Sequence, residues 1–211
     1  MIPATTLMAF ALIALGMVLT PGPNMMYLVS RSICQGRVAG LYSLAGVVLG
    51  FVIYLLLAAF GLTAVVMAVP FAYDTLRLAG AFYLGYLAWN TLKPGGRSPF
   101  QVKDLPEDSP RKLFFMGLLT NLLNPKIAVL YLSLLPQFVD VSKGHVLEQS
   151  LILGSTQILV SLTVNTTIVI TASSIAHFLG RHPRWATFQR YLMGTVLGGL
   201  ALKMALETRK A

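Results

Sequence analysis

The sequence predicts an all-α membrane protein with six transmembrane helices, and two observations favour this fold class. Of its 211 residues, 56% are hydrophobic and only 11% are charged, whereas soluble domains carry about a quarter charged residues. The charges are also unevenly spread, because none precedes Arg31 and none lies between Arg37 and Asp74. A helix crosses the hydrocarbon core with about 20 apolar residues and satisfies its own backbone groups there.

Six apolar stretches are long enough to span a bilayer, and they cover residues 5–30, 38–60, 71–92, 113–135, 147–176 and 188–206. We expect a turn at Gly61 and Pro70 between the second and third spans, because glycine and proline interrupt regular structure. The fifth span is longer than a perpendicular crossing requires, so it is expected to tilt or to end in an interfacial turn.

The spans form two groups of three. Residues 1–92 are the predicted first half, residues 93–112 a solvated cytoplasmic connector rich in Pro, Gly and charge, and residues 113–211 the second half. An odd number of spans per half inverts the second half, which predicts the inverted 3+3 repeat of many transporters. A weak internal repeat supports it, because Leu78, Gly80 and Gly85 have the spacing of Leu192, Gly194 and Gly199.

The distribution of lysine and arginine among the loops predicts the orientation of the chain in the membrane. The loops after spans one, three and five hold ten of these residues, and the opposite side holds five. Positively charged loops stay in the cytoplasm. The sequence therefore predicts a multi-pass protein of a bacterial-type inner (plasma) membrane with both termini outside.

Composition also excludes several function classes. The net charge of +9 lies in short loops between apolar spans, so it indicates topology and not a nucleic-acid-binding face. The single cysteine, Cys34, excludes an intrachain disulfide, and no metal or cofactor motif is present. Neither HExxH, nor GxSxG, nor paired carboxylates occur, which argues against a membrane enzyme.

The first span contains an interrupted segment, Thr20-Pro21-Gly22-Pro23-Asn24. Each proline lacks an N–H, so the carbonyls of Met17 and Leu19 lose their helical partners. Pro23 can begin a new helix at its first position, with free N–H groups facing the break. The break therefore offers acceptors on one side and donors on the other.

The fourth span repeats this feature at Asn121, Asn124, Pro125 and Lys126, where Pro125 is predicted to release the carbonyl of Asn121. Lys126 lies about thirteen residues into the span, or roughly 20 Å at helical rise. A charge at that depth costs a few kcal/mol and by default indicates a functional site.

A single proline kink is more often structural than functional. Two breaks, one with a buried cation, instead favour a substrate or ion site. We expect Lys126 and the amides after Pro23 and Pro125 to hold a carboxylate. The carbonyls of Met17 and Leu19, with Asn24 and Asn124, would accept an ammonium. The predicted substrate-binding residues are Pro21, Gly22, Pro23, Asn24, Asn121, Asn124, Pro125, Lys126 and Asn165.

Asn165 belongs to a polar patch in span five with Thr163, Thr166 and Thr167. These side chains either line the pathway or bond neighbouring helices. Gly46 and Gly50 predict a close helix contact, within one protomer or between protomers of a homo-oligomer.

These motifs resemble those of the LysE/RhtB amino-acid exporter family. The resemblance is carried by Thr20 to Asn24, by Asn124-Pro125-Lys126 and by Leu135-Pro136-Gln137-Phe138, with Gly36-Arg37, Ala39-Gly40 and Gly46 between them. It implies six spans and efflux of amino acids such as lysine, threonine, homoserine or leucine, driven by an ion gradient. Many relatives carry Asp at the position of Asn24, so this chain lacks that carboxylate.

No acidic residue lies within a predicted hydrocarbon core, which favours a neutral substrate such as threonine, homoserine or leucine. The expected coupling ion is a proton, although no side chain is identified as its carrier. A passive channel and an exporter of another small polar metabolite remain alternatives, because broken helices also serve channels.

Overall fold

The computed structural model describes residues 2–20, 22–68 and 107–181, with isolated positions between 78 and 93 and between 184 and 206. Helices connected by short turns make up these parts of the chain, and they contain no strand. The predicted all-α fold is confirmed. Helices suit this apolar chain because lipid offers no hydrogen bonds, and a helix satisfies its own backbone groups.

The first predicted span consists of two helices, α1 (Ala4–Leu19) and α2 (Pro23–Cys34), which meet at an angle of 55°. Helix α2 begins with proline at its first position, as expected from the proline's fixed φ angle and missing N–H. The predicted break in span one is therefore confirmed.

Helix α3 runs without interruption from Gly36 to Ala68, over 33 residues. It begins at Gly36 with φ = +85°, a left-handed conformation that glycine adopts without strain. The predicted turn at Gly61 is wrong, because Gly61 lies inside this helix. In an apolar environment a glycine stays helical, since leaving the helix would expose unpaired backbone groups. Pro70 lies outside the described residues.

The fourth predicted span is also broken. Helices α4 (Pro110–Leu122) and α5 (Pro125–Val129) are separated by two residues, and α4 makes an angle of 53° with the segment that continues to Phe138. Beyond α5 the chain widens into a π-helical turn, Leu130–Leu134, and then narrows into a 3₁₀ turn, Leu135–Phe138. Wide turns of this kind occur often at functional sites.

A short 3₁₀ turn, Val141–Lys143, connects this span to helix α6 (Val146–Arg181), which has 36 residues. The predicted fifth span lies within α6. Two helices, α3 and α6, are long and apolar enough to cross a membrane alone, and the two bent pairs bring the described spans to as many as four. Most of the third and sixth predicted spans lies outside the described residues, and the isolated positions described there are helical, except for a bend at Lys93.

Helix α3 packs most extensively against α4 and also lies against α6. Glycines permit the close approach to α4: a Cβ atom added to Gly50 would lie 2.6 Å from Oδ1 of Asn121, and one added to Gly46 would meet the backbone of Phe114. These contacts confirm Gly46 and Gly50 as packing positions within one protomer. The largest fully buried side chains include Tyr131, Phe10, Phe51, Met17 and Leu28.

Candidate functional site

Lys126 lies at the break in the first span. Its Nζ donates hydrogen bonds to the carbonyl oxygens of Met17, at 2.9 Å, and of Thr20, at 2.7 Å. The side chain belongs to α5 and reaches across to α1, and the residue is only 5% exposed. The two broken helices, more than 100 residues apart in sequence, therefore meet at one ammonium group.

The backbone at the end of α1 explains why the ammonium fits there. The last carbonyls of a helix lack intrahelical partners and carry a partial negative charge. The carbonyl of Gly16 accepts from both the backbone N–H and the hydroxyl of Thr20, and the carbonyl of Met17 accepts from Thr20 N–H and from Lys126. Lys126 thus replaces the N–H that a proline at position 21 cannot supply.

Gly22 provides the space for this arrangement. A Cβ atom added there would lie 3.1 Å from Nζ of Lys126, so any larger residue would press on the ammonium. The backbone of Gly22 is fully extended and acts as the N-cap of α2, with its carbonyl accepting from Met26 N–H. Pro21, also predicted to belong to the site, lies outside the described residues.

The second break is organised by Asn124. Its side-chain oxygen accepts from the backbone N–H of Lys126 and so caps α5, while its own backbone N–H donates to the carbonyl of Asn121. The sequence predicted that Pro125 would leave the Asn121 carbonyl unpaired. This expectation is wrong, because the chain tightens into a turn that supplies Asn124 N–H instead of the missing donor.

A small cavity lies next to the lysine. Its volume of about 20 Å³ has room for water. The wall includes polar side chains from three helices, Asn24 from α2, Lys126 from α5, and Gln157, Ser161 and Asn165 from α6. The apolar lining consists of Ala14, Met17, Val18, Met25, Phe51, Ile127 and Leu130.

Several buried amide groups around the breaks have no hydrogen-bond partner among the described residues. Both amide atoms of Asn24 and of Asn121 are unpaired, as is Nδ2 of Asn124. Leaving a buried polar group unpaired costs about 1–3 kcal/mol. Asn24 lines the cavity, so its amide is available to a molecule that enters. Asn121 and Asn124 are buried beside the second break and do not line the cavity.

Helix α6 contributes a row of polar side chains, of which sequence reasoning predicted Asn165 and missed Gln157 and Ser161. Tyr131 donates to the side-chain oxygen of Gln157, and the amide nitrogen of Gln157 donates to the hydroxyl of Ser161. Asn165 continues the row and is 2% exposed. The spacing of four residues from Gln157 to Ser161 to Asn165 places them on one helix face, which is the signal that could have identified them.

The predicted patch around Asn165 divides between two faces of α6. Thr163 and Thr167 are exposed, and each donates its hydroxyl to the carbonyl four residues earlier in the same helix. Among the described residues they neither line the cavity nor bond a neighbouring helix. Thr166 is half-buried.

The structure brings together three of the predicted site residues at the cavity wall: Asn24, Lys126 and Asn165. Pro23 and Pro125 serve as the first residues of α2 and α5. One expectation about the carbonyls needs correction: Met17 is bonded to Lys126, so in this conformation that position already holds an ammonium. In the described parts of the chain, no three His, Cys, Asp or Glu side chains lie close enough to hold a metal ion.

A second polar cluster, away from the cavity, joins the first half to the end of the connector that leads into the second half. The guanidinium of Arg31, in α2, pairs with Asp108 at 2.5 Å, and Gln35 exchanges two hydrogen bonds with the same residue. Lys112 pairs with the other carboxylate oxygen. Hydrogen bonds from Lys112 and then from Gln35 hold the pKa of the Asp108 carboxyl below its usual value. We call Arg31, Gln35, Asp108 and Lys112 the inter-half clamp.

Comparison with known proteins shows which family the sequence matches. The family described as LysE type translocator matches residues 15–208 of the chain. Leucine efflux proteins of Salmonella choleraesuis (strain SC-B67) and Salmonella typhimurium (strain LT2) are each 29% identical over 196 residues, which is 91% of either chain. The membrane protein YrhP of Bacillus subtilis, named as uncharacterized, is 27% identical and covers 96% of this chain and 99% of its own. No solved structure matches significantly.

Proposed function

Because the chain belongs to the family of LysE type translocators, we propose that it is a secondary active exporter of small neutral amino acids, such as threonine, homoserine or leucine. An ion gradient, most simply of protons, drives the export from the bacterial cytoplasm. The leucine efflux proteins that cover 91% of the chain support this proposal. The translocator family also speaks against the alternative of a membrane enzyme.

The observation that carries the proposal is the position of the Lys126 ammonium between two broken helices and beside a polar cavity. Transporters place their substrates near the bilayer midplane, where discontinuous helices offer N–H groups to anions and carbonyls to cations. Both kinds of end are present here, and Lys126 adds a fixed positive charge.

The cavity lining suggests how an amino acid is held. An ammonium has three protons, and Lys126 gives two of them to carbonyls, so the third is available for a substrate carboxylate. The side-chain oxygens of Asn24 and Asn165 are then the acceptors for the substrate ammonium. Phe51 and Leu130 line the same cavity and form a surface for an apolar side chain.

The described conformation is closed. An amino acid is several times larger than the cavity of about 20 Å³, so entry requires the helices to separate. Breaks in two spans provide points where half-helices can rotate without unfolding. The proposed cycle therefore alternates between conformations that open the site to one side and then to the other.

The direct experiment is a counterflow screen, in which the purified protein is placed in liposomes loaded with single amino acids. We expect accumulation of labelled threonine, homoserine or leucine. Accumulation against a gradient when a proton gradient is imposed would separate a transporter from a passive channel, which can only equilibrate its solute. Equilibration without accumulation would contradict the proposal.

Lys126→Ala is expected to reduce export to the background of empty liposomes, because it removes the charge that would orient the substrate carboxylate. Lys143→Ala is the matched control, since this lysine lies in the 3₁₀ turn with its side chain 57% exposed and should leave export unchanged. Amounts of inserted protein are compared by immunoblot. Normal efflux by Lys126→Ala would exclude the role given to this residue.

A further inference from the structure

The C-terminal end of α1 has the chemistry of a binding site for a small cation. Two backbone carbonyls, of Met17 and Thr20, point at one position at 2.9 and 2.7 Å. The negative end of the α1 dipole faces the same point. In secondary transporters, unwound carbonyls and half-helix C-termini are the groups that coordinate coupling cations.

We infer that the Met17 and Thr20 carbonyls form a monovalent-cation site that the Lys126 ammonium occupies as a covalently attached cation. The two carbonyls converge on a single position, so the site is a property of the backbone as well as of the lysine. Removing the side chain beyond Cβ would therefore leave an empty cation site that takes sodium or a primary alkylammonium from solution.

The charge balance of the site supports the inference. None of the described lining residues of the cavity is a carboxylate, and Lys126 is the one charged residue among them. A buried cation is costly unless its surroundings compensate for it. Here backbone carbonyls and the helix dipole provide the compensation, so the position itself favours a positive charge whichever group supplies it.

Asn24 is a second, independent indication that this region binds ligands. The residue is 6% exposed and lines the cavity beside Lys126, and neither of its amide atoms has a hydrogen-bond partner in the described part of the chain. A cation bound at the carbonyls could take the side-chain oxygen of Asn24 as a further ligand. Hard cations such as sodium prefer oxygen ligands of these types.

The inference has a consequence for energy coupling, and this consequence alone rests on the proposed function. Since the chain supplies its own cation at this position, export by the wild-type protein should be the same in sodium, potassium and choline salts. Sodium dependence of wild-type export would contradict the statement that the site is already occupied.

The main test uses the purified Lys126→Ala protein and measures its apparent melting temperature. A ligand that binds only the folded state stabilises it in a saturable manner. We expect n-propylammonium, which matches the deleted atoms, and to a lesser extent sodium, to raise the melting temperature by several degrees at constant ionic strength. The wild-type protein should not respond, because its ammonium remains in place.

Lys126→Met is the matched control, because methionine removes the charge but still fills the space that the lysine stem occupied. It should show no cation-dependent stabilisation. Equal responses of the Ala and Met variants, or no response of either, would overturn the inference. If Lys126→Ala cannot be purified, Lys126→Ser replaces it, and the sodium independence of wild-type export provides a separate test.

These outcomes are distinguishable from failure of the proposed function. The melting experiments need no transport substrate, so they decide on the cation site even if the protein exports no amino acid. Conversely, the protein could export amino acids while the melting temperature of Lys126→Ala responds to neither cation. That result would support the proposed function and contradict only the cation site.

Discussion

Lys126 differs from Lys112 and Lys143 in its surroundings. The latter two extend into solvent, with side chains 62% and 57% exposed, whereas Lys126 is 5% exposed. Burying an ammonium at membrane depth costs a few kcal/mol, and hydrogen bonds involving a charged group contribute about 1.5–3 kcal/mol each. Two bonds to carbonyls can therefore offset the cost of burial, which explains how a lysine is retained there.

Asn24 tests the chemistry of the cavity at the same scale. Asn24→Ala removes two unpaired buried atoms, so the free energy of unfolding should stay the same or rise. Loss of the Asn24 amide should raise the KM for export by roughly tenfold or more, because the substrate loses one hydrogen bond to a charged group. The measurements are counterflow kinetics and the apparent melting temperature.

Thr163→Ala is the control for Asn24→Ala, because Thr163 is exposed and its hydroxyl donates within its own helix. Both KM and melting temperature should remain at wild-type values. A fall in the stability of Asn24→Ala without any change in KM would assign Asn24 a packing role and contradict its place in the substrate site.

At the scale of elements, the two broken spans share a design and differ in detail. Both bend by nearly the same angle, 55° and 53°, and both resume with proline at the first helical position. They differ in capping, because Asn124 caps α5 with its side chain whereas Gly22 has no side chain with which to cap α2. This similarity supports the inverted repeat, which remains a prediction.

The contact between α3 and α4 gives a test of packing. A Cβ atom at Gly46 would collide with backbone atoms of Phe114 and lie 2.8 Å from Leu118 N, and backbone cannot move aside as a side chain can. We expect Gly46→Ala to destabilise the protein by about 1–3 kcal/mol, the usual cost of overpacking. Thermal unfolding in detergent measures the effect.

Gly61→Ala is the comparison for Gly46→Ala, since Gly61 lies in the same helix and no described atom lies within 4 Å of an added Cβ. Alanine is the better helix former, so Gly61→Ala should match or exceed the wild-type melting temperature. Equal losses of stability at both positions would mean that the α3–α4 contact is looser than described.

Across the whole molecule, the two halves pack along several helices, and charged side chains add two contacts among the described residues. Lys126 of the second half bonds α1 of the first, and the inter-half clamp ties α2 to the segment before α4. The clamp lies on the side that the positive loops predict to be cytoplasmic. Opening the cavity to that side would require the clamp to separate.

The clamp should respond to pH through Asp108. The folded-state pKa of this carboxyl is lowered by Lys112 and Gln35, so its contribution to stability is present above the unfolded value near 3.9 and is lost as pH falls through the lower folded value. Asp108→Asn should therefore lower the melting temperature at pH 5–8, and the difference from wild type should shrink below about pH 4.

Asp140→Asn is the control for the clamp. Lys143 and then Ser142 lower the pKa of Asp140 to about 2, yet in the described contacts its carboxylate bonds only within its own turn, while its backbone bonds Gln149. It should change the melting temperature less than Asp108→Asn does. A larger effect at Asp140 would contradict the importance given to the inter-half clamp.

The orientation of the whole chain can be tested with its single cysteine. Cys34 is half-buried at the end of α2, near the clamp. A membrane-impermeant maleimide should label it in inverted vesicles and not in intact spheroplasts. In a Cys34→Ser background, Ser142→Cys in the exposed turn that is predicted to lie outside should show the reverse pattern. The opposite labelling of Cys34 and of Ser142→Cys would show that the predicted topology is inverted.

The sequence predicted the helical fold, both breaks and the burial of Lys126, because proline and uncharged runs have local consequences that need no tertiary information. The partners of Lys126 could not be predicted, since they depend on how α1 and α5 pack. Gln157 and Ser161 were not predicted, because a single polar residue in an apolar helix does not show which face meets the protein. Only their spacing of four residues with Asn165 places all three on one face. The predicted turn at Gly61 was wrong because, in lipid, a glycine that leaves the helix exposes unpaired backbone groups.

The bond between Lys126 and Thr20 spans 106 positions, and this separation has a consequence for biosynthesis. When the ribosome has delivered the first interrupted helix to the insertion machinery, the lysine that will complete it has not yet been translated. The carbonyls at the end of α1 must meanwhile bind water or groups of the translocon. We therefore expect the amino-terminal half to reach its final structure only after Lys126 has been synthesised and inserted.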